Sequence, residues 1–300
     1  MTALYRIEHE TRYDHVGGVS TSQHVACLTP RTMPNQSVRW HELAIEPAPF
    51  NHVQRLDYFG NMVDQFTILT PYDAMRVVGR SVVNVTARGT PLALNADPPW
   101  ETVRDALLYK RGAPFAHAAE FSYPSPYAIT AAELAAFARQ SFAANRPLID
   151  AAIDVMHRIH DEFTFDPGAT TVATPVTRVL ADRHGVCQDF AHLQIACLRS
   201  LGLAARYVSG YLLTNPRPGQ PRLVGADASH AWLSVWCPPL GWIDLDPTND
   251  VLPSERHITL AWGRDYGDVS PLRGVVLGGS KHTLHVGVSV IPLEDNGQEG

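Results

Sequence analysis

The alternation of apolar and polar residues divides this chain into a β-rich first part and a helical middle part. Positions that alternate with a period of two predict strands, and they occur at residues 6–13, 39–45, 63–69 and 75–85. After residue 130, apolar residues recur at helical spacing, which predicts helices at residues 131–144, 148–163 and 187–201. Residues 283–291 alternate again and predict a further strand, whose sheet the sequence does not identify.

The third helix is predicted to begin at a cysteine. Gly185 and Val186 precede Cys187. Apolar or small residues then recur at helical spacing up to Leu201, and Gly202 follows as a usual C-terminal stop. Free backbone N–H groups and the positive end of the helix dipole favour a thiolate at such a position. The same N–H groups can face a developing oxyanion, although the sequence does not identify a second oxyanion donor.

A predicted hairpin carries a histidine and an aspartate on the same face. Its strands are residues 230–236 and 242–246, with the turn-rich sequence Cys-Pro-Pro-Leu-Gly between them. In a hairpin, residues whose numbers sum to an even total face the same side, so His230 and Asp246 are expected to lie opposite or diagonal. Asp244 shares that face and is the alternative partner for the imidazole, but it lies nearer the turn. Another interpretation is that Asp246 merely belongs to a turn that ends the strand.

Cys187, His230 and Asp246 supply a sulfur nucleophile, an imidazole base and a carboxylate that orients the imidazole. This set predicts attack on a carboxamide or peptide carbonyl and formation of an acyl-thioester. Water resolves such a thioester in a peptidase or amidase, and a primary amine resolves it in a transglutaminase. Groove shape and water exclusion decide between the two acceptors, and a sequence shows neither.

The same residues carry a family resemblance. Four motifs occur in order, GVCQDFA at 185–191, LGLAARYVSGY at 201–211, SHAW at 229–232 and GWIDLDPT at 241–248. Together they resemble the bacterial transglutaminase-like superfamily. Residues 1–90 resemble the β-rich domain that often precedes its core, and residues 257–269 resemble the segment that follows it. The resemblance implies a papain-like core in which Cys187, His230 and Asp246 form the catalytic triad, and it leans towards hydrolysis.

These features predict an α+β fold in four parts. Residues 1–90 form a β-sandwich-like domain, and residues 91–130 form a proline-rich connection. Residues 131–250 form the transglutaminase-like core, in which the helix that carries the cysteine packs on an antiparallel sheet that carries the histidine and the aspartate. Residues 251–300 complete the fold.

Four further residues are candidates for substrate binding or for support of the triad. Gln188 follows the nucleophile, and Asp227 lies three residues before His230. Tyr211 and Trp242 carry rings that could line an acyl-donor groove. The alternative is core packing for the aromatic residues and a simple loop position for Asp227.

The remaining cysteines and histidines do not predict a metal site or a disulfide framework. His184, Cys187, His192 and Cys197 superficially resemble a zinc pattern, but residues five apart on one helix do not converge on a point. Three cysteines are interpreted as small buried residues, namely Cys27, Cys197 and Cys237. Three histidines are interpreted as surface or locally hydrogen-bonded residues, namely His157, His160 and His257. No metal or other cofactor is expected.

Charge and hydropathy limit the classes of partner that are expected. The net charge of −6 and the absence of Lys/Arg runs argue against nucleic acid. No stretch approaches the roughly 20 apolar residues of a membrane span, and charged residues stand where a signal peptide would be apolar, so a cytoplasmic location is expected. A peptide or protein substrate is expected, and the oligomeric state is left open. Two alternatives remain: a non-catalytic binding module on the same fold, and an N-terminal part that recruits partners.

Overall fold

The computed structural model describes residues 2–87, 97–111, 117–214 and 229–294. The predicted α+β class is confirmed, with a bent antiparallel sheet of seven strands, a group of helices and a second antiparallel sheet of four strands. Within the described residues, no helix is long and apolar enough to cross a membrane.

The first sheet is built around one long strand, β1 (Thr2–Ala26). Its other strands are β2 (Gln36–Glu46), β3 (Asn51–Leu56), β4 (Met62–Ile68), β5 (Tyr72–Thr86), β12 (Leu272–Gly278) and β13 (Lys281–Leu293). The first half of β1 pairs with β5 and β13, and its second half pairs with β4 and β12. β2 pairs with β5 and β3 pairs with β4. The sheet therefore has two halves that share β1.

Four glycines allow β1 and the junction between β12 and β13 to bend at the same place. Gly17 and Gly18 have φ values of +86° and +65°, and Gly278 and Gly279 have φ values of +93° and +68°. Residues with a Cβ adopt such backbone angles only under strain. Beyond the bend, Phe66 of β4 shares a buried cluster with Met75, Val77 and Leu272, so the two halves of the sheet enclose a small core.

Helices pack against the second sheet, whose strands also contact the first sheet directly. The helices are α1 (Trp100–Leu107), a short 3-10 helix (His117–Ser122), α2 (Ala132–Arg139), α3 (Leu148–Glu162), α4 (Val176–Asp182), α5 (Cys187–Ser200) and α6 (Tyr266–Val269). Every residue of α5 from Asp189 to Arg199 is buried, because the helix packs against α2, α3 and α4 as well as the second sheet. The predicted helix 131–144 ends earlier, at Arg139, and the chain turns there so that Phe142 packs on Trp100.

The second sheet places the hairpin against the central helix. Its strands are β8 (Ala205–Leu212), β9 (Ser229–Cys237), β10 (Gly241–Leu245) and β11 (His257–Gly263), in the order β10-β9-β8-β11. A two-residue parallel pair, β6 (Thr164–Phe165) and β7 (His184–Gly185), leads into α5. The segment after residue 250 is divided between the two sheets, since β11 lies in the second sheet while β12 and β13 return to the first.

Two buried side-chain amides join the first sheet to the second. Gln36 donates to the Thr259 carbonyl at 2.7 Å and accepts from the Thr259 N–H at 2.8 Å. Asn61 makes the same pair of bonds to Trp262, at 2.9 and 3.0 Å. Each amide thus satisfies backbone groups of β11 that would otherwise be buried without a partner. The β11 edge of the second sheet is therefore fixed by the N-terminal part of the chain.

Candidate active site

The hairpin brings His230 and Asp246 into direct contact. Leu245 pairs with Leu233 across β9 and β10, which places Asp246 diagonal to His230, one of the two expected arrangements. His230 Nε2 lies 2.7 Å from Asp246 Oδ2. Both side chains are buried, and that of Asp246 is 0% exposed.

Asp246 is held by five hydrogen bonds. Its Oδ1 accepts from the backbone N–H groups of Thr248 and Asn249, at 3.0 and 3.3 Å. Its Oδ2 accepts from Asn249 Nδ2 at 2.8 Å, from His257 Nε2 at 3.1 Å and from His230. Burial alone would raise the pKa of Asp246, but the bonds from His230, His257 and Asn249 outweigh it and hold the pKa far below its usual range. The carboxylate is therefore ionised although it is buried.

Cys187 is the first residue of α5 and is partly exposed. Because His230 Nε2 is engaged with Asp246, Nδ1 is the ring nitrogen left to face Cys187, whose thiol interacts with the imidazole and raises its pKa. Burial lowers the pKa of His230, but the bonds to Asp246 and Cys187 outweigh burial and raise the pKa to about 10. The imidazole is therefore protonated at neutral pH, beside the thiol and the start of the helix.

Asp189 fixes the loop that carries the cysteine. Its Oδ2 accepts from the Val186 N–H at 2.9 Å and from Thr170 Oγ1 at 2.6 Å. A Cβ on Gly185 would lie 2.8 Å from the Asp189 Cβ, so this approach requires a glycine. Burial raises the pKa of Asp189, against the hydrogen bonds from Thr170 and Val186. The sequence reasoning did not single out Asp189, although an acidic residue in the first turn of a helix is a recognised N-terminal signal.

The alternative partner of the imidazole, Asp244, lies elsewhere on the hairpin. It pairs with Ser234 across the strands, and the Ser234 hydroxyl donates to its Oδ1 at 2.5 Å. Trp232 Nε1 lies 3.4 Å from its other oxygen. These contacts place Asp244 beside Ser234, whereas Asp246 reaches His230.

The other candidate residues occupy different places. Gln188 is half-buried in the first turn of α5, next to Cys187. Tyr211 is 1% exposed, and its hydroxyl lies 2.9 Å from His9 Nδ1 of β1, so it lies between the two sheets. Asp227 falls outside the described residues.

Trp242 lies at the far end of the hairpin from His230. It pairs with Trp236, six residues after His230 on β9, a separation of roughly 20 Å along a strand. Its ring meets Phe121 edge-on at 5.2 Å, and the Arg206 guanidinium lies 4.3 Å from its centroid. These contacts place Trp242 in an aromatic cluster away from the cysteine.

His257 is part of the site, contrary to its interpretation as a surface or locally bonded residue. It is the first residue of β11 and is 6% exposed. Its bond to Asp246 brings a second imidazole to the carboxylate. The only sequence signal was its place in the tail motif, because the residues between Asp246 and His257 contain no regular pattern.

The nitrogen and oxygen atoms of this group lie close enough to surround a cation. Ligand-type atoms of His230, Asp246 and His257 lie within 4.8 Å of one another. Each is already engaged in the hydrogen bonds described above, so we describe the group as a hydrogen-bond network. His192 and Cys197 do not join it, because His192 Nε2 accepts from the Tyr266 N–H at 3.1 Å and Cys197 is fully buried.

Comparison with known proteins identifies the family. Residues 135–247 match the family described as the Transglutaminase-like superfamily, and residues 5–84 match the Bacterial transglutaminase-like N-terminal region. An uncharacterised protein of Mycobacterium tuberculosis is 42% identical over 301 residues, which cover 98% of this chain and 94% of that protein. The chain therefore belongs to the transglutaminase-like superfamily, as its motifs predicted, and members of this fold are generally cysteine-dependent enzymes.

Two further comparisons, one of sequence and one of structure, cover different shares of the chain. The protein-glutamine gamma-glutamyltransferase of Pseudomonas aeruginosa is 35% identical over 144 residues, which cover 45% of this chain and 21% of that enzyme. The crystal structure of a proposed cysteine protease from Cytophaga hutchinsonii aligns with a TM-score of 0.73 at 18% identity. It covers 98% of this chain and 92% of its own, so the two proteins share the fold over almost their whole length.

Proposed function

We propose that this protein is a cysteine-dependent enzyme that acts on peptide or carboxamide bonds through an acyl-thioester, with water as the acceptor. The observation that carries the proposal is the 2.7 Å contact between His230 and the buried Asp246, beside the partly exposed Cys187 at the start of α5. Hydrogen bonding raises the pKa of His230 and lowers that of Asp246, which favours an imidazolium–carboxylate pair. A thiol at a helix start beside an imidazolium is the environment that favours a nucleophilic thiolate.

The geometry supports the following steps. The Cys187 thiolate attacks the carbonyl carbon, a C–S bond forms, and the developing oxyanion faces the N–H groups of the first turn of α5. His230 gives its Nδ1 proton to the leaving amine as the C–N bond breaks, which leaves an acyl-thioester and a neutral imidazole. Water then attacks the thioester, His230 takes its proton, and the acid product leaves as the thiolate–imidazolium pair is restored. Asp246 keeps Nε2 protonated throughout.

The other three cysteines are poor candidates for the nucleophile. Cys27, Cys197 and Cys237 are all buried. Burial raises the pKa of each thiol to about 12, so they stay protonated where Cys187 would react. Labelling experiments can therefore read Cys187 alone.

A surface cavity borders the loop that carries the nucleophile. Its volume is about 740 Å³, and its lining includes residues 169–171, 173–175, Arg178 and His184. Thr170 belongs both to this lining and to the hydrogen bonds that fix Asp189. Cys187, His230 and Asp246 do not line this cavity, so it adjoins the loop before α5 without containing the reacting groups.

Transfer to an amine is the second candidate function. It is favoured by the likeness to the glutamine gamma-glutamyltransferase of Pseudomonas aeruginosa, whose matched stretch is 35% identical. The chemistry up to the thioester is the same, and only the acceptor differs. Incubation with a glutamine peptide and a labelled primary amine separates the outcomes. Both reactions release ammonia, but hydrolysis converts the glutamine to glutamate whereas transfer attaches the labelled amine.

The test of the proposal is intact-mass labelling with iodoacetamide from about pH 5 to about pH 9. Wild type, Cys187→Ser and His230→Ala are compared. We expect fast addition of one label to the wild type, none at that site in Cys187→Ser, and slow labelling in His230→Ala. Slow labelling of the wild type, or labelling spread over the buried cysteines, would contradict the proposal and favour a non-catalytic binding module.

A further inference from the structure

Two imidazoles share one carboxylate oxygen in this site. His230 Nε2 and His257 Nε2 lie 2.7 and 3.1 Å from the same Oδ2 of Asp246. The proposed mechanism uses only the first of these contacts. The ring nitrogens of His257 contact Ser254 and Asp246, and His257 comes from β11 rather than from the hairpin that carries His230.

The proton on His257 is fixed by its surroundings. The backbone N–H of Ser254 points to His257 Nδ1 at 3.5 Å, so Nδ1 is the acceptor and Nε2 carries the hydrogen donated to Asp246. The ring is held edge-on to Trp232, at 5.3 Å between centroids and 82° between planes. Its backbone pairs with Leu212 of β8. His257 thus donates to the carboxylate from a fixed position.

A second hydrogen-bond donor to a carboxylate weakens the interaction of that carboxylate with the first donor. Negative charge that is stabilised by His257 is less available to stabilise the imidazolium of His230. We propose that His257 is a positioning residue that shares the charge of Asp246 with His230 and so makes His230 a better proton donor to the leaving amine. This inference rests on the proposed function and concerns how that site is adjusted.

Orientation of the carboxylate does not depend on His257 alone. Without it, Asp246 would still accept from the N–H groups of Thr248 and Asn249, from Asn249 Nδ2 and from His230. Removal of the His257 donor should therefore change the sharing of charge more than the position of Asp246. This separates the inference from a merely structural role, in which His230 would become misplaced.

The titratable groups that face His230 come from three elements. Among the described residues they are Cys187 from α5, Asp246 after β10 and His257 from β11. Because Cys187 and Asp246 remain unchanged in a His257 variant, a shift in the protonation of His230 can be assigned to the lost donor.

The test detects the protonation of His230 through the rate at which an anionic reagent modifies Cys187. Iodoacetate is attracted by a protonated His230, so its reaction with Cys187 slows as His230 loses its proton. The rate is measured by intact mass from about pH 7 to about pH 11, with a chelator present, for wild type, His257→Phe and His257→Gln. Phenylalanine keeps the ring against Trp232 but removes the donor, whereas glutamine can restore an N–H near the position of Nε2. Circular dichroism and thermal unfolding check the fold of each variant.

At high pH the rate of alkylation falls as His230 loses its proton. We expect the midpoint of this fall to shift to a higher pH by about 0.5 to 1 unit in His257→Phe, and to return towards the wild-type pH in His257→Gln. His52→Gln serves as a matched control, because His52 also contacts an aspartate, Asp64, at 2.6 Å but lies in the first sheet. A midpoint in His257→Phe that equals the wild-type value, or that shifts to a lower pH, overturns the inference. If the wild type shows no rapid reaction that depends on His230, the proposed function itself fails, which is a distinguishable result.

Discussion

Replacement of Gly210 by alanine tests whether close packing beside His230 is required for the stability of the fold and for the reactivity of Cys187. Gly210 lies in β8 directly opposite His230 of β9. An added Cβ would lie 2.2 Å from the Ile258 carbonyl oxygen and 2.4 Å from Trp232 Cη2. Neither atom can move away easily, because Ile258 belongs to β11 and the fully buried Trp232 packs on His257.

The magnitude follows from these distances. The contacts must lengthen by roughly an ångström in a close-packed region, where overpacking costs typically about 1–3 kcal/mol. A backbone carbonyl opposes the methyl group, so we expect a loss near the upper end, about 3 kcal/mol. At about 2–4 °C per kcal/mol, the melting temperature should fall by roughly 6–12 °C. Replacement of glycine also lowers the conformational entropy of the unfolded chain, which stabilises the folded protein by less than about 1 kcal/mol and does not offset this loss.

The assay combines thermal unfolding with iodoacetamide labelling of Cys187. Gly210→Ala is compared with Gly168→Ala, whose Cβ would lie 3.4 Å from Asp166 Oδ1, an ordinary contact in a loop. We expect the first variant to melt lower and to label more slowly at temperatures where it is still folded. An unchanged melting temperature with unchanged labelling would refute the packing argument.

Three further predictions concern the triad, the junction of the sheets and pH. Asp246→Asn should slow turnover by roughly three to four orders of magnitude, because the wrong tautomer of the imidazole is held, and kinetics like those of the wild type would move the orienting role elsewhere. Tyr211→Phe should cost about 1 kcal/mol in urea unfolding through the lost bond to His9, with KM unchanged, and a raised KM would instead place Tyr211 in the groove. Burial lowers the pKa of His9 to about 4 and that of His192 to about 3, so the unfolded chain binds protons below about pH 6.5 that the folded chain refuses. Stability should therefore fall from about pH 6.5 towards about pH 4, and a flat profile of the urea midpoint would contradict this.

The positions of Cys187, His230 and Asp246 could be predicted from the sequence because each depends on local structure. The Gly-Val-Cys run sets the start of α5, and the alternation on both sides of one turn sets the facing of His230 and Asp246. Such patterns act over a few residues, so a single sequence carries them. Alternation places Trp242 on the same face of the hairpin as His230, but it does not measure the distance between them along the strand.

The pairing of distant strands could not be read in this way. The period-two pattern marked only residues 6–13 of β1, which runs from Thr2 to Ala26, because the bend at Gly17 and Gly18 interrupts the alternation. Residues 283–291 had the pattern of a strand, but nothing local showed that β1 is its partner. His257 was missed for the same reason, as its contact with Asp246 forms only when β11 pairs with β8.

The return of β12 and β13 to β1 also has a consequence for synthesis on the ribosome. β1 is made first, but the strands that cover one of its edges begin only at Leu272. At about 5–20 residues per second, the 245 residues between Ala26 and Leu272 take roughly 12–50 seconds. An open strand edge is a template for pairing with other chains during that interval. The charged residues on one face of β1, Arg6, Glu8, Glu10 and Arg12, give the nascent chain a defence against aggregation before its own C-terminal strands arrive.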